Sequence, residues 1–228
     1  MASELWVCHL GQVEYHEGVA LQEQVRERVQ AGELPGVLLA LEHPPVYTRG
    51  RRSDPSELPM GEDWYRSQGI DIAQSDRGGR LTYHGPGQLV GYPIMRVSDV
   101  VAYLRTMEEA IIAALGDEGI VAGPREGLTG VWVEDRKIAS IGVHLSRGVT
   151  THGFAVNVDN DLQPFEWVVS CGLEGVRMTS VTRETGRGEH LPEFRTRMAE
   201  RFCAAFGREQ REVTPEQIGA ARPVPSSA

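Results

Sequence analysis

Lys137 is the only lysine in this chain, although lysine and arginine together account for 23 of its 228 residues. An ammonium group can lose its proton when it is desolvated, whereas a guanidinium stays charged at any workable pH. A single lysine at a position where arginine is unacceptable would therefore indicate proton chemistry. A codon bias towards arginine would also leave one lysine by chance, so the count alone assigns no function.

Three cysteines are the candidate nucleophiles. Cys8, Cys171 and Cys203 are odd in number and lack metal-site spacing, so free thiols are expected rather than a disulfide framework or a structural zinc site. Cys171 lies in the run VVSCGLEG, where a glycine after an apolar segment gives the sulfur room to face a substrate. Cys8 in a predicted strand and Cys203 on the apolar side of a predicted helix fit buried structural thiols better.

Residues 77–93, RGGRLTYHGPGQLVGYP, contain five glycines in seventeen residues. The triplet at 85–87 separates two alternating runs and predicts a hairpin, while Gly78 and Gly79 free the backbone before the first run. The segment is not a dinucleotide-binding loop, because its spacing is G-x-G-x-x-x-G and a strand-like run follows it. It lacks the Gly-Lys-Ser/Thr of a P-loop. The glycines either let a ligand approach the backbone or only permit tight turns.

Apolar periodicity predicts the elements that position these residues. Predicted strands cover residues 5–10, 36–41, 70–74, 80–84, 88–94, 130–134, 137–145 and 149–158, and predicted helices cover residues 15–29, 98–117 and 191–206. The residues predicted to share a strand face with Lys137 are Ala139, Ile141, Val143 and Leu145. A lysine at the edge of such an apolar face should be easier to deprotonate.

The helix over 98–117 has the clearest amphipathic pattern. Ser98 is its predicted N-cap. One stripe of this helix is predicted to hold Val101, Leu104, Glu108, Ile111 and Leu115. Four of these residues are apolar, so the stripe should face the core.

A single α+β domain is predicted over residues 1–207. Hairpins in runs, together with helices, favour mixed, mainly antiparallel sheets packed with helices over a doubly wound fold. The 40% apolar content is normal for a soluble globular protein. Residues 208–228 are polar and end in RPVPSSA, so a flexible C-terminal tail is expected.

Composition also argues against several partners and locations. A net charge of −9 argues against nucleic-acid binding through a basic face. There is no apolar run of about 18 residues to span a membrane. Glutamates near the N-terminus stand where a secretion signal needs basic and then apolar residues, so a cytoplasmic protein is expected.

Four segments, in order, resemble the octanoyltransferases of lipoate biosynthesis, which belong to the biotin/lipoate protein ligase superfamily. They are the glycine-rich residues 77–93, the K-I-A-S-I-G of 137–142, the H-G-F-A-V-N of 152–157, and Cys171-Gly172. The resemblance covers the chain from residue 5 to about residue 206 and leaves only the tail outside. It implies the single-domain α+β catalytic fold of that superfamily.

The resemblance implies that an octanoyl group moves from the phosphopantetheine thioester of acyl carrier protein to one lysine of a lipoyl domain. It assigns Cys171 as the acyl acceptor and Lys137 as its partner, which agrees with the need of a thiol for a nearby cation or base. The acyl group arrives activated, so neither ATP, a metal nor another cofactor is expected. The expected acceptors are the lipoyl domains of 2-oxoacid dehydrogenase E2 subunits and the glycine cleavage H protein, and the expected state is a monomer without membrane or nucleic-acid partners.

The resemblance also implies the residues that line the acyl and thioester pocket. They are Arg77, Gly78, Gly79, Arg80, Leu81, Thr82, Tyr83, His84, Ser140, Ile141, Gly142, Gly153, Phe154 and Ala155. Glycines and small residues would leave a slot for an alkyl chain, and backbone N–H groups would stabilise the thioester oxyanion. His84 and His152 either assist proton transfer or shape the site through hydrogen bonds.

Five arginines near the glycine-rich segment could attract an acidic carrier protein to an otherwise acidic enzyme. They are Arg49, Arg51, Arg52, Arg77 and Arg80. A solvated loop with one or two structural salt bridges would explain them equally well.

Three alternatives to the thioester transferase remain open. A lipoate or biotin protein ligase would activate a free acid with a nucleotide, and residues 49–52 faintly resemble a biotin-ligase nucleotide loop without the rest of that pattern. An amidotransferase would move octanoyl groups between lipoyl-domain proteins. A non-catalytic binding module would keep the pocket without turnover, against which the presence of both Cys171 and Lys137 argues.

Overall fold

The computed structural model describes residues 3–169 and 176–219. Its strands are β1 (Glu4–Gln12), β2 (Gly36–Glu42), β3 (Val46–Arg49), β4 (Asp71–Gln74), β5 (Thr82–His84), β6 (Gln88–Ile94), β7 (Gly123–Arg125), β8 (Leu128–Val133), β9 (Arg136–Ser146), β10 (Val149–Asn157), β11 (Arg177–Met178) and β12 (Glu209–Glu212). Its α-helices are α1 (Tyr15–Ala31), α2 (Glu62–Ser67), α3 (Val100–Asp117), α4 (Gln163–Glu166), α5 (Val181–Thr185) and α6 (Leu191–Ala205).

Two sheets organise the chain. The larger sheet has the order β12-β1-β2-β6-β10-β9-β8-β7, with β11 paired to β9, and the smaller sheet has the order β4-β3-β5. In the larger sheet β1 runs parallel to β2 and β12, whereas β2, β6, β10, β9, β8 and β7 follow one another antiparallel. The predicted α+β class with mixed, mainly antiparallel sheets is confirmed.

The larger sheet is covered by helices on both faces, as the alternation of β2 shows. Leu38 and Ala40 pack in one cluster with buried residues of α3 and α6, whereas Leu39 and Leu41 pack in another with Val25 of α1. Strand side chains alternate between faces, so one short apolar strand serves both layers. The smaller sheet lies on the α1 side, where Tyr15 packs with Val46 and Ala73.

The N-cap of helix α3 lies one residue later than predicted. Asp99, not Ser98, is the N-cap, and its Oδ1 accepts the N–H groups of Val101 and Ala102. A carboxylate at this position satisfies two of the free N–H groups of the first turn. No helix in the described ranges is long and apolar enough to cross a membrane.

The hairpin predicted at residues 85–87 is wrong. The two runs it separates belong to different sheets, because β5 pairs with β3 while β6 lies between β2 and β10. Gly87 has φ of +84°, and its N–H donates to the Glu42 carboxylate at 2.8 Å. The tight turn was therefore predicted correctly, but it passes the chain from one layer to the other.

The tail predicted from residue 208 is ordered as far as residue 219. Strand β12 adds to the edge of the larger sheet beside β1, and a 3₁₀ turn over Pro215–Ile218 buries Ile218. Backbone pairing holds an edge strand whose side chains are polar, and periodicity does not reveal such a strand. Residues 220–228 lie outside the described part of the chain.

Candidate functional site

A cavity of about 500 Å³ lies where β5 of the smaller sheet and the glycine-rich loop before β5 face β9 and β10. Lys137 is part of its wall. The wall also contains these residues from the predicted binding set: Arg77, Gly78, Gly79, Arg80, Leu81, Thr82, His84, Ser140, Ile141, Gly142, Gly153, Phe154 and Ala155. The fold therefore brings together, at one site, three of the four segments on which the resemblance rests.

Tyr83 is the exception in the predicted set. It follows Thr82 in β5, so its side chain points to the opposite side of the strand and is absent from the cavity wall. There it packs with Tyr47 and Phe165, and burial raises the pKa of its phenol to about 12. Tyr83 belongs to the core of the smaller sheet, because a continuous run of sequence cannot line one face of a strand.

Lys137 reaches the cavity because one extra residue interrupts β9. Val131 and Trp132 are adjacent in β8 but lie opposite Ala139 and Lys137, which are two residues apart. Such a bulge breaks the alternation of faces. Ala139 joins the main core cluster with Val131, whereas Lys137 lies with Trp132, its Nζ 5.5 Å from the ring centroid. The predicted shared face of Lys137 and Ala139 is therefore wrong, and the lysine, 6% exposed, lines the cavity.

The glycine-rich loop is held against β9 by close backbone contacts. The Gly78 N–H donates to the Val143 carbonyl at 3.0 Å, and Arg77 Nη2 donates to the carbonyl and hydroxyl oxygens of Thr48 at 2.7 and 2.8 Å. A Cβ atom on Gly142 would lie 2.9 Å from the Gly78 carbonyl oxygen. These glycines both allow tight packing and place bare backbone in the cavity wall, so the two interpretations of them are compatible.

Aromatic and imidazole rings form the buried end of the cavity, at Tyr15, His84, Tyr92 and His152. Gln88 Oε1 lies 2.8 Å from His84 Nδ1, and burial holds the pKa of His84 well below its usual range. A neutral, hydrogen-bonded His84 fits a residue that shapes the site better than one that carries protons.

His152 is held in a strained position at this end. It has φ of +57°, and its N–H donates to Gln22 Oε1 at 2.6 Å. Its Nε2 lies 2.7 Å from Asp76 Oδ1, and this hydrogen bond holds the pKa of the Asp76 carboxyl below its usual value. A left-handed conformation in a residue other than glycine needs such anchors on both backbone and side chain.

Sequence reasoning left several residues of the cavity wall out of the predicted binding set. They are Tyr15, Arg52, Tyr92, Val100, Leu104, Gly127, Leu128, Thr129, Trp132, Val143 and His152. Tyr92 and His152 lie inside the matched segments and Val143 follows one of them, so these three carried a local signal. The others come from the start of α1, from the loop after β3, from α3 and from the β7–β8 hairpin, and tertiary packing alone places them here.

Stability between pH 6.5 and 4 should depend on His43, which lies behind Tyr92. His43 Nδ1 lies 2.6 Å from the Val13 carbonyl, its Nε2 lies 2.6 Å from the Tyr92 hydroxyl, and burial lowers its pKa to about 4. As the pH falls below about 6.5, His43 takes up a proton in the unfolded chain but stays neutral in the folded chain. The contribution of His43 to the free energy of unfolding is therefore complete above pH 6.5 and should fall by roughly 1.4 kcal/mol per pH unit towards pH 4.

Urea unfolding of His43→Gln at several pH values checks this expectation. The variant should start less stable at pH 7.5 and show a shallower loss on acidification. His16→Gln, at an exposed histidine in the first turn of α1, is the control and should keep the wild-type slope. Parallel curves for wild type and His43→Gln would contradict the assignment.

The five arginines fall into two groups. Arg49 pairs with Glu62 at 2.6 Å, Arg77 is bound to Thr48, and Arg80 pairs at 3.1 Å with Glu57, whose second oxygen accepts the Leu81 N–H. These three hold the smaller sheet and its loop together. Arg51 and Arg52 are exposed, and Arg52 also borders the cavity.

The other two cysteines are buried away from the cavity wall. Burial raises the pKa of the Cys8 thiol to about 12 and that of the Cys203 thiol to about 11, so both stay protonated near neutral pH. Cys171 lies outside the described residues. On either side of that gap, the Val169 N–H donates to the Glu57 carbonyl, and Met178 of β11 pairs with Lys137.

Comparison with known proteins identifies relatives of this chain. The lipoyl protein ligase A/B catalytic domain matches residues 14–203. A protein of Myxococcus xanthus named octanoyltransferase is 41% identical over 219 residues, which cover 92% of this chain and 61% of that protein. An octanoyltransferase of Solibacter usitatus is 51% identical over 168 residues, which cover 72% of this chain and 76% of that protein. The chain thus spans less than two thirds of the length of the Myxococcus relative.

Solved structures agree on the fold. The bipartite lipoate protein ligase of Thermoplasma acidophilum superposes with a TM-score of 0.71 at 20% identity, over 96% of this chain and 90% of that chain. A likeness at this identity supports the architecture and not the reaction. The family match extends from the end of β1 to the last turns of α6, and this chain therefore belongs to the lipoyl protein ligase A/B catalytic domain family.

Proposed function

We propose that this chain is an octanoyltransferase, which moves an octanoyl group from the thioester of acyl carrier protein to a lysine of a lipoyl domain. The observation that carries the proposal is the position of Lys137. The only lysine of the chain lines the cavity together with the glycine-rich segment, and β11, which follows Cys171 in sequence, pairs with it. The names of the relatives support the same activity.

In the first half of the reaction the Cys171 thiolate attacks the thioester carbonyl. The carbon–sulfur bond to pantetheine breaks, and the departing thiolate takes its proton from the Lys137 ammonium, which leaves a free pantetheine thiol and a neutral Lys137 amine for the second half. A cation beside the attacking sulfur favours the thiolate form. Lys137 supplies that cation, and the buried Cys8 and Cys203 do not compete because burial raises the pKa of each thiol.

In the second half the amine of the acceptor lysine attacks the Cys171 thioester. An amide bond forms, the bond to Cys171 sulfur breaks, and the attacking nitrogen gives up a proton. Lys137 accepts that proton as a general base. The octanoyl group arrives as an activated thioester, and each half-reaction exchanges one acyl bond for another. The reaction therefore needs no nucleotide, metal or other cofactor.

The buried end of the cavity suits the acyl chain although it contains polar residues. His84, Tyr92 and His152 each direct a polar atom at a protein partner, namely Gln88, His43 and Asp76. A buried polar group that is already hydrogen-bonded needs no partner from the ligand. Apart from the Tyr15 hydroxyl, what remains at this end for contact with an alkyl chain is ring surface, together with Leu81 and Phe154.

The exposed arginines support an acidic carrier protein as donor. Arg51 and Arg52 are exposed, and Arg52 borders the cavity, in a chain with a net charge of −9. A local basic patch on an acidic protein steers an acidic partner, and the effect is screened by salt.

Mass analysis of the intact protein tests the proposal. Incubation with octanoyl-acyl carrier protein should add one octanoyl group to Cys171, and addition of a lipoyl domain without ATP should transfer that group to the acceptor. Transfer that strictly requires ATP and free octanoate would instead identify a ligase. A preference for an octanoylated lipoyl-domain protein as donor would identify an amidotransferase.

A further inference from the structure

Strands β8 and β9 separate beside Lys137 and leave an open gap in the larger sheet. Their pairing covers Val131–Val133 against residues 136–139, although both strands continue beyond it. The cavity wall on one side of the opening is Gly127, Leu128 and Thr129, and on the other side it is residues 140–143. We call the space between these two walls the β8–β9 gap.

A buried carboxylate maintains this separation. Glu108 of α3 is 2% exposed, and its Oε1 accepts the N–H of Gly130 at 2.9 Å. Gly130 directly precedes Val131, the first residue of β8 that pairs with β9, so α3 holds β8 at the point where the two strands part. This accounts for the glutamate in the apolar stripe of α3, because a buried carboxylate must have hydrogen-bond partners.

The edge of β9 offers peptide groups to the gap. Val143 directs its carbonyl away from β10, since that oxygen accepts the Gly78 N–H. The N–H and C=O of one residue in a strand point to the same edge, and those of the residue two positions away point there too. Ile141 therefore directs its peptide N–H and C=O into the gap, beyond the end of the pairing between β8 and β9.

The side chains around the gap are apolar. Val100 and Leu104 of α3, Leu128 of β8 and Val143 of β9 are partly exposed there. Lys137 lies at the closed end, opposite Trp132 where the strands rejoin. The gap is thus an apolar slot with a hydrogen-bonding edge, and it leads from the protein surface to the candidate site.

We propose that the β8–β9 gap binds the pantetheine arm of the thioester donor, which rests on the proposed function. The arm is an extended chain with two secondary amides and a dimethyl-substituted carbon. Its amides would pair with the Ile141 edge as an added strand does, and its apolar carbons would contact Leu104 and Leu128. An alkyl chain in the same place would cover the Ile141 peptide without satisfying it, which is unfavourable.

Two soluble donors separate the arm from the acyl group. S-octanoyl-pantetheine carries both amides, and S-octanoyl-ethanethiol carries none. For the wild-type protein we expect kcat/KM of Cys171 acylation to be roughly tenfold or more higher with the pantetheine donor, as one or two added hydrogen bonds would give. An octanoyl-pantetheine analogue with its amides replaced by esters should react at a rate near that of the ethanethiol donor.

A substitution in the gap wall should abolish this preference. Thr129 is exposed, so Thr129→Trp fills the gap at a position where folding tolerates a large side chain. Its kcat/KM should fall by a larger factor with octanoyl-pantetheine than with the ethanethiol donor, so that the preference between the two donors disappears. Glu126→Trp, in the same hairpin but outside the cavity wall, is the matched control and should keep the preference.

Three results would contradict the proposal in distinguishable ways. Equal use of both donors by the wild-type protein, or full activity of the ester analogue, would contradict the pantetheine site but not the proposed transferase activity. Equal slowing of both donors by Thr129→Trp would show that the substitution acts on the acyl site instead. Failure of both donors to acylate the protein, with octanoyl-acyl carrier protein also inactive, would remove the proposed function itself.

Discussion

Cys171→Ser should lose octanoyl transfer by about 10³-fold or more, the scale expected when a covalent nucleophile is removed. A serine hydroxyl in the same place is far less ionised than a thiol and is therefore a much weaker nucleophile. The thermal stability of the variant should change little. The measurement is the amount of octanoylated enzyme by intact mass and the rate of lipoyl-domain octanoylation.

Cys8→Ser and Cys203→Ala are the matched controls. Each removes a thiol whose pKa is raised by burial, and each should retain acylation while it loses some stability. An octanoyl adduct that persists on Cys171→Ser, or transfer lost equally in Cys8→Ser at a temperature where that variant is folded, would contradict the assignment of the nucleophile.

The sequence indicated the candidate site well because local signals and the resemblance coincided there. The glycine-rich run, the segment that begins with the isolated lysine and the matched segment at 152–157 required no knowledge of packing, and all three lie in one cavity wall. Tyr83 shows the limit of that reasoning. A motif is contiguous, whereas in β5 the side chains alternate, so Thr82 and His84 face the cavity and Tyr83 does not.

Lys137 shows a second limit. Alternation from Lys137 to Leu145 predicted one apolar face, but the bulge opposite Val131 and Trp132 moves the lysine to the cavity side. A bulge depends on the register of a neighbouring strand and leaves no periodic signature. A regular strand would have directed this lysine into the main core with Ala139 instead of into the cavity wall.

The position of Glu108 in the apolar stripe of α3 was visible in the sequence, but the reason for a carboxylate at that position was not. One partner, Arg105, lies three residues before it in the same helix, but the other, the Gly130 N–H, lies 22 residues away in β8, at a residue with φ of +123°. A Cβ atom at position 130 would lie 2.5 Å from the Ala139 carbonyl oxygen and 2.8 Å from Lys137 Cε. Helix α3 and strand β8 together therefore shape the surroundings of the lysine.

Lys137→Arg should separate the two halves of the reaction. Arginine keeps the positive charge beside the thiol, so acylation of Cys171 should survive in part. A guanidinium cannot take a proton from the acceptor amine. Transfer from the acyl-enzyme to the lipoyl domain should therefore fall on the order of 10²- to 10⁴-fold, the usual contribution of a positioned general base. Quenched-flow mass analysis of the acylated enzyme measures the two rates separately.

Arg136→Lys is the matched control for Lys137→Arg. It changes the neighbouring residue of β9 in the opposite direction and can keep a pairing with Glu184, so both half-reactions should stay near the wild-type rate. Lys137→Met should lose acylation as well as transfer, because it removes the charge too.

The pH dependence distinguishes lost proton acceptance from a misplaced side chain. A free lysine amine has a pKa of about 10.4, so raising the pH increases the fraction of the acceptor lysine that is already neutral. Removal of a proton by Lys137 then matters less. The transfer deficit of Lys137→Arg should therefore shrink as the pH rises from 7 to 9.5, whereas a purely structural defect would stay constant. An Arg variant with full transfer activity at pH 7 would contradict proton acceptance by Lys137. The codon bias noted for this chain would then be sufficient to explain its single lysine.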